Sequence, residues 1–398
     1  MKFAINDSTS AINANDLPFK IISTLLISIF FLFFNPFYAL LFSSLVSLFY
    51  KEINFKFFSF LFALSFALLF TNRDLKSTLD ASDVAMYVAR YAYDIGFIDS
   101  LINFEIEPFW IIYTKFLSII FNGDMDLFVL FNHFLLFLLL AFIARKISKK
   151  NYIITLFCLV FFNLALLLGI HQVWRNTFAI LLIFIGVYST RSKFLIYIAP
   201  LVHSVTLPLL VIARKIDYKV IIFSILVLVI MNEYILLKID NYQEMEGDYF
   251  GFKLFFIVSV IIIAILKFLN LVKLNQIENR ILVAFALFAF LPIFFEFQAS
   301  YSIILSRISN IFYLFTSIIV AKLIIQSNFI SAIFIVVYSI YRFGFTFNNP
   351  VVFSSFEILG DGRPVYIYNG ILMLIKGYDP NRWSDFVYAN FWKLLTQQ

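Results

Sequence analysis

The sequence predicts an all-α polytopic integral membrane protein of about 11–14 membrane-spanning or re-entrant helices. Three observations carry that prediction. The chain of 398 residues is 62% hydrophobic and only 14% charged, whereas a soluble domain is nearer half apolar and a quarter charged. Its mean hydropathy is +0.94. The apolar stretches are continuous, without the alternation of a β-barrel.

Candidate spans fall at 21–34, 36–50, 57–71, 109–121, 127–144, 152–170, 176–190, 194–213, 220–237, 254–270, 281–296, 308–325 and 329–345. A bilayer crossing takes about 20 apolar residues. Asn35-Pro36 breaks the first long run into a hairpin, because proline cannot continue a helix cleanly. The first 20 residues are polar and lack the layout of a cleavable signal. Basic residues cluster at Lys51/Lys56, Arg145-Lys146 with Lys149-Lys150, Arg191/Lys193, Arg214-Lys215/Lys219 and Lys267/Lys273/Arg280. Positive loops face the cytoplasm. Only one apolar run separates 191–193 from 214–219, and it carries Pro200, His203 and Pro208. A broken, re-entrant pair of half-helices keeps both clusters on one side, and irregular backbone at membrane depth is tolerated where it lines a protein cavity. The run 109–121 is short and contains Lys115, so it too is expected to be re-entrant or surface-lying. Residues 1–345 form one helical domain, with 72–108 inserted as a long periplasmic first loop. Residues 346–398 form a C-terminal tail with turn signals, also assigned to the periplasm.

The composition excludes several chemistries. The single Cys158 rules out an intrachain disulfide and a cysteine metal site. No phosphate-binding glycine loop, His-Glu-x-x-His motif or nucleophile elbow occurs, so neither ATP, a built-in metal nor a cofactor is expected. The acidic group Glu244/Glu246/Asp248 reads as a solvated loop rather than a cation site. The net charge of +6 is scattered between spans, which suits inner-leaflet anchoring and not nucleic acid.

Ionisable residues beside long apolar runs are the pointers to function, because such groups are costly in a bilayer and usually contact a ligand or each other. The densest block runs His171-Gln-Val-Trp174-Arg175-Asn-Thr, continues apolar to Tyr188, and reaches Leu201-Val-His203-Ser204. Arg175 opens an apolar helix from its outer end. Its planar fork and the helix N-terminus both suit an anion such as phosphate, and the rival is a snorkelling interfacial arginine. His203 lies in the predicted break, where the rival is a satisfied structural histidine. Arg307, in Ser306-Arg-Ile-Ser-Asn310, is expected at a second outer helix start. In the first outer loop, Asp83, Tyr87, Arg90 and Tyr91 share one helical face. A carboxylate, two phenols and a guanidinium suit a sugar; the rival is a solvated amphipathic helix. Glu107-Pro108 opens an aromatic helix, either as its cap or as an acid facing the outer cavity. His171 and Trp174 join Tyr87, Arg90 and Tyr91 as candidate substrate-binding residues.

Taken in order, Asp83-x-x-x-Tyr87, Glu107-Pro108, Arg175-Asn-Thr-Phe-Ala179, Ala199-Pro-Leu-Val-His203-Ser204 and Ser306-Arg307-Ile resemble the EpsG-type branch of the Wzy O-antigen and exopolysaccharide polymerases. The likeness spans about 70–315. This chain has Asn176 where that family often has glutamine, and Ser-Val-Thr after His203. The resemblance implies a GT-C-like glycosyltransferase of the bacterial inner membrane with its active site facing the periplasm. Undecaprenyl-diphosphate-linked oligosaccharides would be both donor and acceptor. A Wzz-like chain-length regulator and a Wzx-like flippase would be partners, and no cofactor would be needed. It casts Arg175 and Arg307 as stabilisers of the departing diphosphate, with Asp83, Glu107 or His203 as the general base. The alternatives are an O-antigen ligase or another lipid-linked-sugar glycosyltransferase and, further off, a flippase or transporter.

Overall fold

A computed structural model describes residues 16–34, 38–39, 42, 55–71, 87–88, 91, 107–149, 151–161, 170, 173–189, 192–207, 210, 222–223, 250–294 and 299–326. Among them the regular structure is entirely helical. Of the expected segments, 220–237 (beyond its residues 222–223), 329–345, most of 36–50, the acidic loop at 244–248 and the 346–398 tail lie outside the described residues.

Helix α1 spans Asp16–Phe34, and the break expected at Asn35-Pro36 lies outside the described residues. Helix α2 (Phe55–Thr71) lies along α4 (Met125–Ile147). Phe58, Phe62, Phe66 and Phe70 recur every four residues and so form one row down α2. Phe66 stacks on Phe137 of α4 with ring centroids 4.6 Å apart, and Phe62 and Phe70 flank the same ring. The neighbouring row of Ser59, Ala63 and Ala67 is buried; small side chains there let the two backbones approach.

Between them comes α3 (Pro108–Ile120). At 13 residues it is about 20 Å long, well short of the 30 Å hydrocarbon core. One face is exposed and apolar through Phe109, Ile112, Phe116 and Ile119, while Trp110, Thr114 and Leu117 face inward. The length of α3 is that of the short helix expected at 109–121. A tight turn returns the chain into α4: Asn122 and Gly123 both take positive φ, a conformation glycine adopts without cost. Asp124 then caps α4, its side chain accepting from Leu127 N at 3.0 Å. Among the described residues, α4 is the one helix long and apolar enough to cross a membrane.

Helix α5 (Tyr152–Phe161) packs on α4 and on α10. Helix α6 (Trp174–Tyr188) is buried from Trp174 through Gly186 except at Leu182. It meets α7 (Leu195–Val202), and Gly186 allows the close approach: a Cβ there would run into Ile196 Cγ1 and sit 3.1 Å from the Ile196 backbone nitrogen. Helix α7 ends at His203, which adopts extended geometry (φ −155°, ψ 116°) before a single 3₁₀ turn at Ser204–Thr206. The helix break expected between Pro200 and Pro208 therefore lies at His203. Helices α8 (Phe250–Phe268) and α9 (Gln276–Phe294) pair with each other, and α10 (Ala299–Gln326) closes the described set. The exposed apolar side chains of α8 (Val258, Ile261, Ile262, Ile265, Phe268) are compatible with a helical membrane protein.

Candidate functional site

Helix α3 begins with proline, so its N-cap position falls on Glu107. A capping carboxylate would turn back to the first-turn N–H groups. Glu107 makes no such side-chain bond. Its carboxylate, fully buried, points across to two other elements. Oε2 accepts from Arg175 Nη1 at 2.7 Å. Oε1 lies 2.7 Å from His203 Nδ1 and within 3.3 Å of Ser204 N and 3.4 Å of Ser204 Oγ. Arg175 is the second residue of α6, and His203 and Ser204 occupy the break after α7. Three segments thus converge on one carboxylate. The rival account of Glu107 as a simple helix cap does not hold.

Arg175 also donates through Nε to Tyr87 Oη at 3.2 Å, and its guanidinium carbon sits 5.2 Å from the centre of the Tyr87 ring. Tyr87 is held between Trp110 (5.1 Å) and Trp174 (5.7 Å, stacked). Glu107, Arg175, His203 and Tyr87 are all buried. Burying an ion is costly unless it is paired and hydrogen-bonded, and each ion here has that pairing. With Arg175 charged, Glu107 ionised and His203 neutral, the formal charge of the cluster is zero; protonation of His203 makes it +1.

The structure brings together four residues singled out from the sequence: Tyr87, Glu107, Arg175 and His203. Tyr87 and Tyr91 do share one side of their segment, but that side faces the interior and not solvent: both are buried. Apart from residues 87, 88 and 91, the 72–106 stretch of the loop lies outside the described residues. Tyr91 stacks on Phe128 at 4.1 Å and donates to the Asp124 carbonyl at 3.0 Å. Burial, and then the Asp124 carboxylate, push its phenol up to about 12, so it remains a donor at neutral pH. Trp174 is fully buried against Phe128, His133 and Tyr87, which makes it a wall of the site. Arg307 is not at a helix start: α10 begins at Ala299, two turns earlier. The N-terminal dipole, which acts over the first turn, therefore does not apply to it. Asp83, Arg90 and His171 lie outside the described residues.

Ser204 had no role assigned from sequence, although it follows His203 directly; its backbone and hydroxyl both address Glu107. A cavity of about 180 Å³ opens beside the cluster, with apolar walls that include Phe109 and Tyr113 of α3, Leu135 and Leu139 of α4, Leu182 of α6 and Val202 of α7. Trp110 also lines it and packs on Tyr87, so the cavity and the cluster share that side chain as a wall. Among the described residues no group of three or more His, Cys, Asp and Glu is placed to hold a metal ion. No family model, curated protein or solved structure matches the chain.

Proposed function

We propose that the chain is a polysaccharide polymerase of the EpsG and Wzy kind, an integral glycosyltransferase of the bacterial inner membrane. It would have the GT-C-like polytopic frame and a periplasm-facing site, and would join undecaprenyl-diphosphate-linked repeat units. The observation that carries this reading is the buried Glu107–Arg175–His203 cluster beside an apolar cavity. An ionic group next to an apolar slot suits a substrate with an anionic head and a hydrocarbon tail. The family resemblance quoted from Asp83 to Arg307 supplies the reaction class.

The geometry suggests a division of roles. A carboxylate against His203 Nδ1 favours the tautomer with its proton on Nδ1, which leaves Nε2 as the acceptor. Glu107 then orients and His203 is the base, as in other carboxylate–imidazole pairs. In the reaction the sugar C1–O bond to diphosphate breaks, and a bond forms from C1 to the acceptor hydroxyl oxygen. The hydroxyl proton passes to His203. The cluster becomes +1 as undecaprenyl diphosphate leaves with its negative charge, so stabilisation arises when charge develops. Arg175, already neutralised by Glu107, contributes most at that moment.

The experiment is to replace Arg175 with Ala in the source bacterium and examine surface polysaccharide length on a gel at matched protein level. The expected outcome is loss of the long-chain ladder with single repeats retained. An intact ladder removes Arg175 from the mechanism. Accumulation of lipid-linked polymer without transfer points to a ligase instead.

A further inference from the structure

A second buried carboxylate lies at the other end of α6. Glu278, fully buried at the start of α9, accepts from Tyr188 Oη at 2.7 Å and from Lys322 Nζ at 2.5 and 2.6 Å. It also closes a reciprocal capping pair: Asn275 N donates to Glu278 Oε2 at 2.7 Å, and Glu278 N donates to Asn275 Oδ1 at 2.8 Å. This is the capping-box geometry that fixes a helix start, so the carboxylate is anchored to its own helix before it meets anything else.

The two side chains that reach it come from two different helices, near the same end of each. Tyr188 is the last residue of α6, and Lys322 lies in the closing turns of α10. Followed back from this shared point, the helical rise from Tyr188 to Arg175 is about 20 Å, and from Lys322 to Arg307 about 22 Å. The two arginines therefore stand at nearly the same height. An independent contact agrees: α10 packs on α6 and also on the 3₁₀ turn Ser204–Thr206, which sits at Glu107. The same helix thus runs from the level of the ionic cluster down to Glu278.

We infer that Glu278 is a positioning residue: by holding Tyr188 of α6 and Lys322 of α10 on one carboxylate, it sets the register of the two helices and brings Arg307 level with Arg175. The purpose, two cations spaced for a diphosphate, rests on the proposed lipid-diphosphate chemistry. The register itself does not. A helix slips in steps of a turn, about 5.4 Å, and such a slip would offset the two arginines along the helix axis by that amount.

The test is a cysteine crosslinking scan on the full chain in nanodiscs, with Cys158→Ser as background. Val173→Cys at the head of α6 is paired in turn with Ser300→Cys, Ile303→Cys, Arg307→Cys and Asn310→Cys. With Glu278, Tyr188 and Lys322 intact, the crosslink maximum is expected at 307. Tyr188→Phe, the milder change, and Glu278→Gln should each lower crosslinking at 307 by about fivefold relative to its neighbours, the effect of roughly 1 kcal/mol on a two-state register. Lys322→Arg should keep the maximum. An unchanged profile in Tyr188→Phe, or a maximum elsewhere in the parent, overturns the inference. Titration of the parent with inorganic diphosphate and inorganic phosphate separates the two ideas. A shifted profile in a chain that does not prefer diphosphate leaves the clamp standing and removes the diphosphate role.

Discussion

At the residue scale, Glu107 serves one guanidinium and one imidazole at the same time, and this makes its substitutions informative. Glu107→Ala removes the carboxylate that Arg175 donates to, a loss of about 3–5 kcal/mol for breaking a buried pair. Glu107→Gln keeps the size and an acceptor oxygen but gives up the charge. The expected outcome is a large fall in thermal stability for the alanine variant and a much smaller one for the glutamine variant, read by detergent-solubilised melting. Both variants should lose polymer formation, because neither presents a carboxylate to Nδ1. Equal melting temperatures for the two would mean that Arg175 finds another anion.

This site was legible in part. Glu107, Arg175 and His203 each stood out because an ionisable residue beside an apolar run has few inexpensive reasons to be there. Their mutual pairing was not legible, since Arg175 and His203 lie 68 and 96 residues from Glu107 along the chain and pattern reading sees only neighbours. The same limit applies to Tyr87, whose contact with Arg175 spans 88 residues of sequence. Its helical spacing with Asp83 and Tyr91 was visible, but spacing does not say whether a face meets water or protein. Glu278 carried a readable signal, Asn275 three residues ahead of it, which announces a helix start; its bonds to Tyr188 and Lys322 depend on tertiary packing.

At the element scale, helix boundaries followed local chemistry closely wherever proline or a cap set them. Helix α3 starts at Pro108, and α7 ends at His203. The start of α10 was misjudged because Ala299–Ile304 offers no cap signal and reads as loop. The contact between α6 and α7 turns on Gly186, which no periodicity reveals. Gly186→Ala should destabilise by about 1–3 kcal/mol, the usual range for an overfilled interior. Gly186→Val should be worse, and a compensating Ile196→Ala should recover part of the loss. The check is a melting series on the three variants; failure of Ile196→Ala to rescue would place the strain elsewhere.

At the scale of the whole molecule, the orientation drawn from basic residues assigns opposite sides of the membrane to the two ends of α4. Asn122 precedes that helix and Lys149 follows it, and both are exposed. In the Cys158→Ser background, Asn122→Cys should react with a membrane-impermeant maleimide from the periplasmic side of intact cells. Lys149→Cys should react only after lysis. Labelling of both in intact cells, or of neither, would require a different path for α4. The result bears directly on which compartment supplies the substrate, because Glu107 and the 122–123 turn bracket the same short helix.

The shortness of α3 has a consequence for biogenesis. Glu107 is made 68 residues before Arg175 and 96 before His203. At about 5–20 residues per second, Arg175 follows Glu107 by about 3–14 s. On the proposed membrane topology, a full-length span would carry the acid into hydrocarbon before Arg175 is made, whereas a helix of 13 residues would leave Glu107 close to the outer water. Chains truncated just before Arg175 should therefore be short-lived in cells, and Glu107→Gln should lengthen their half-life in a pulse–chase measurement. On that topology the short helix would be a waiting position for Glu107 until Arg175 and His203 are made.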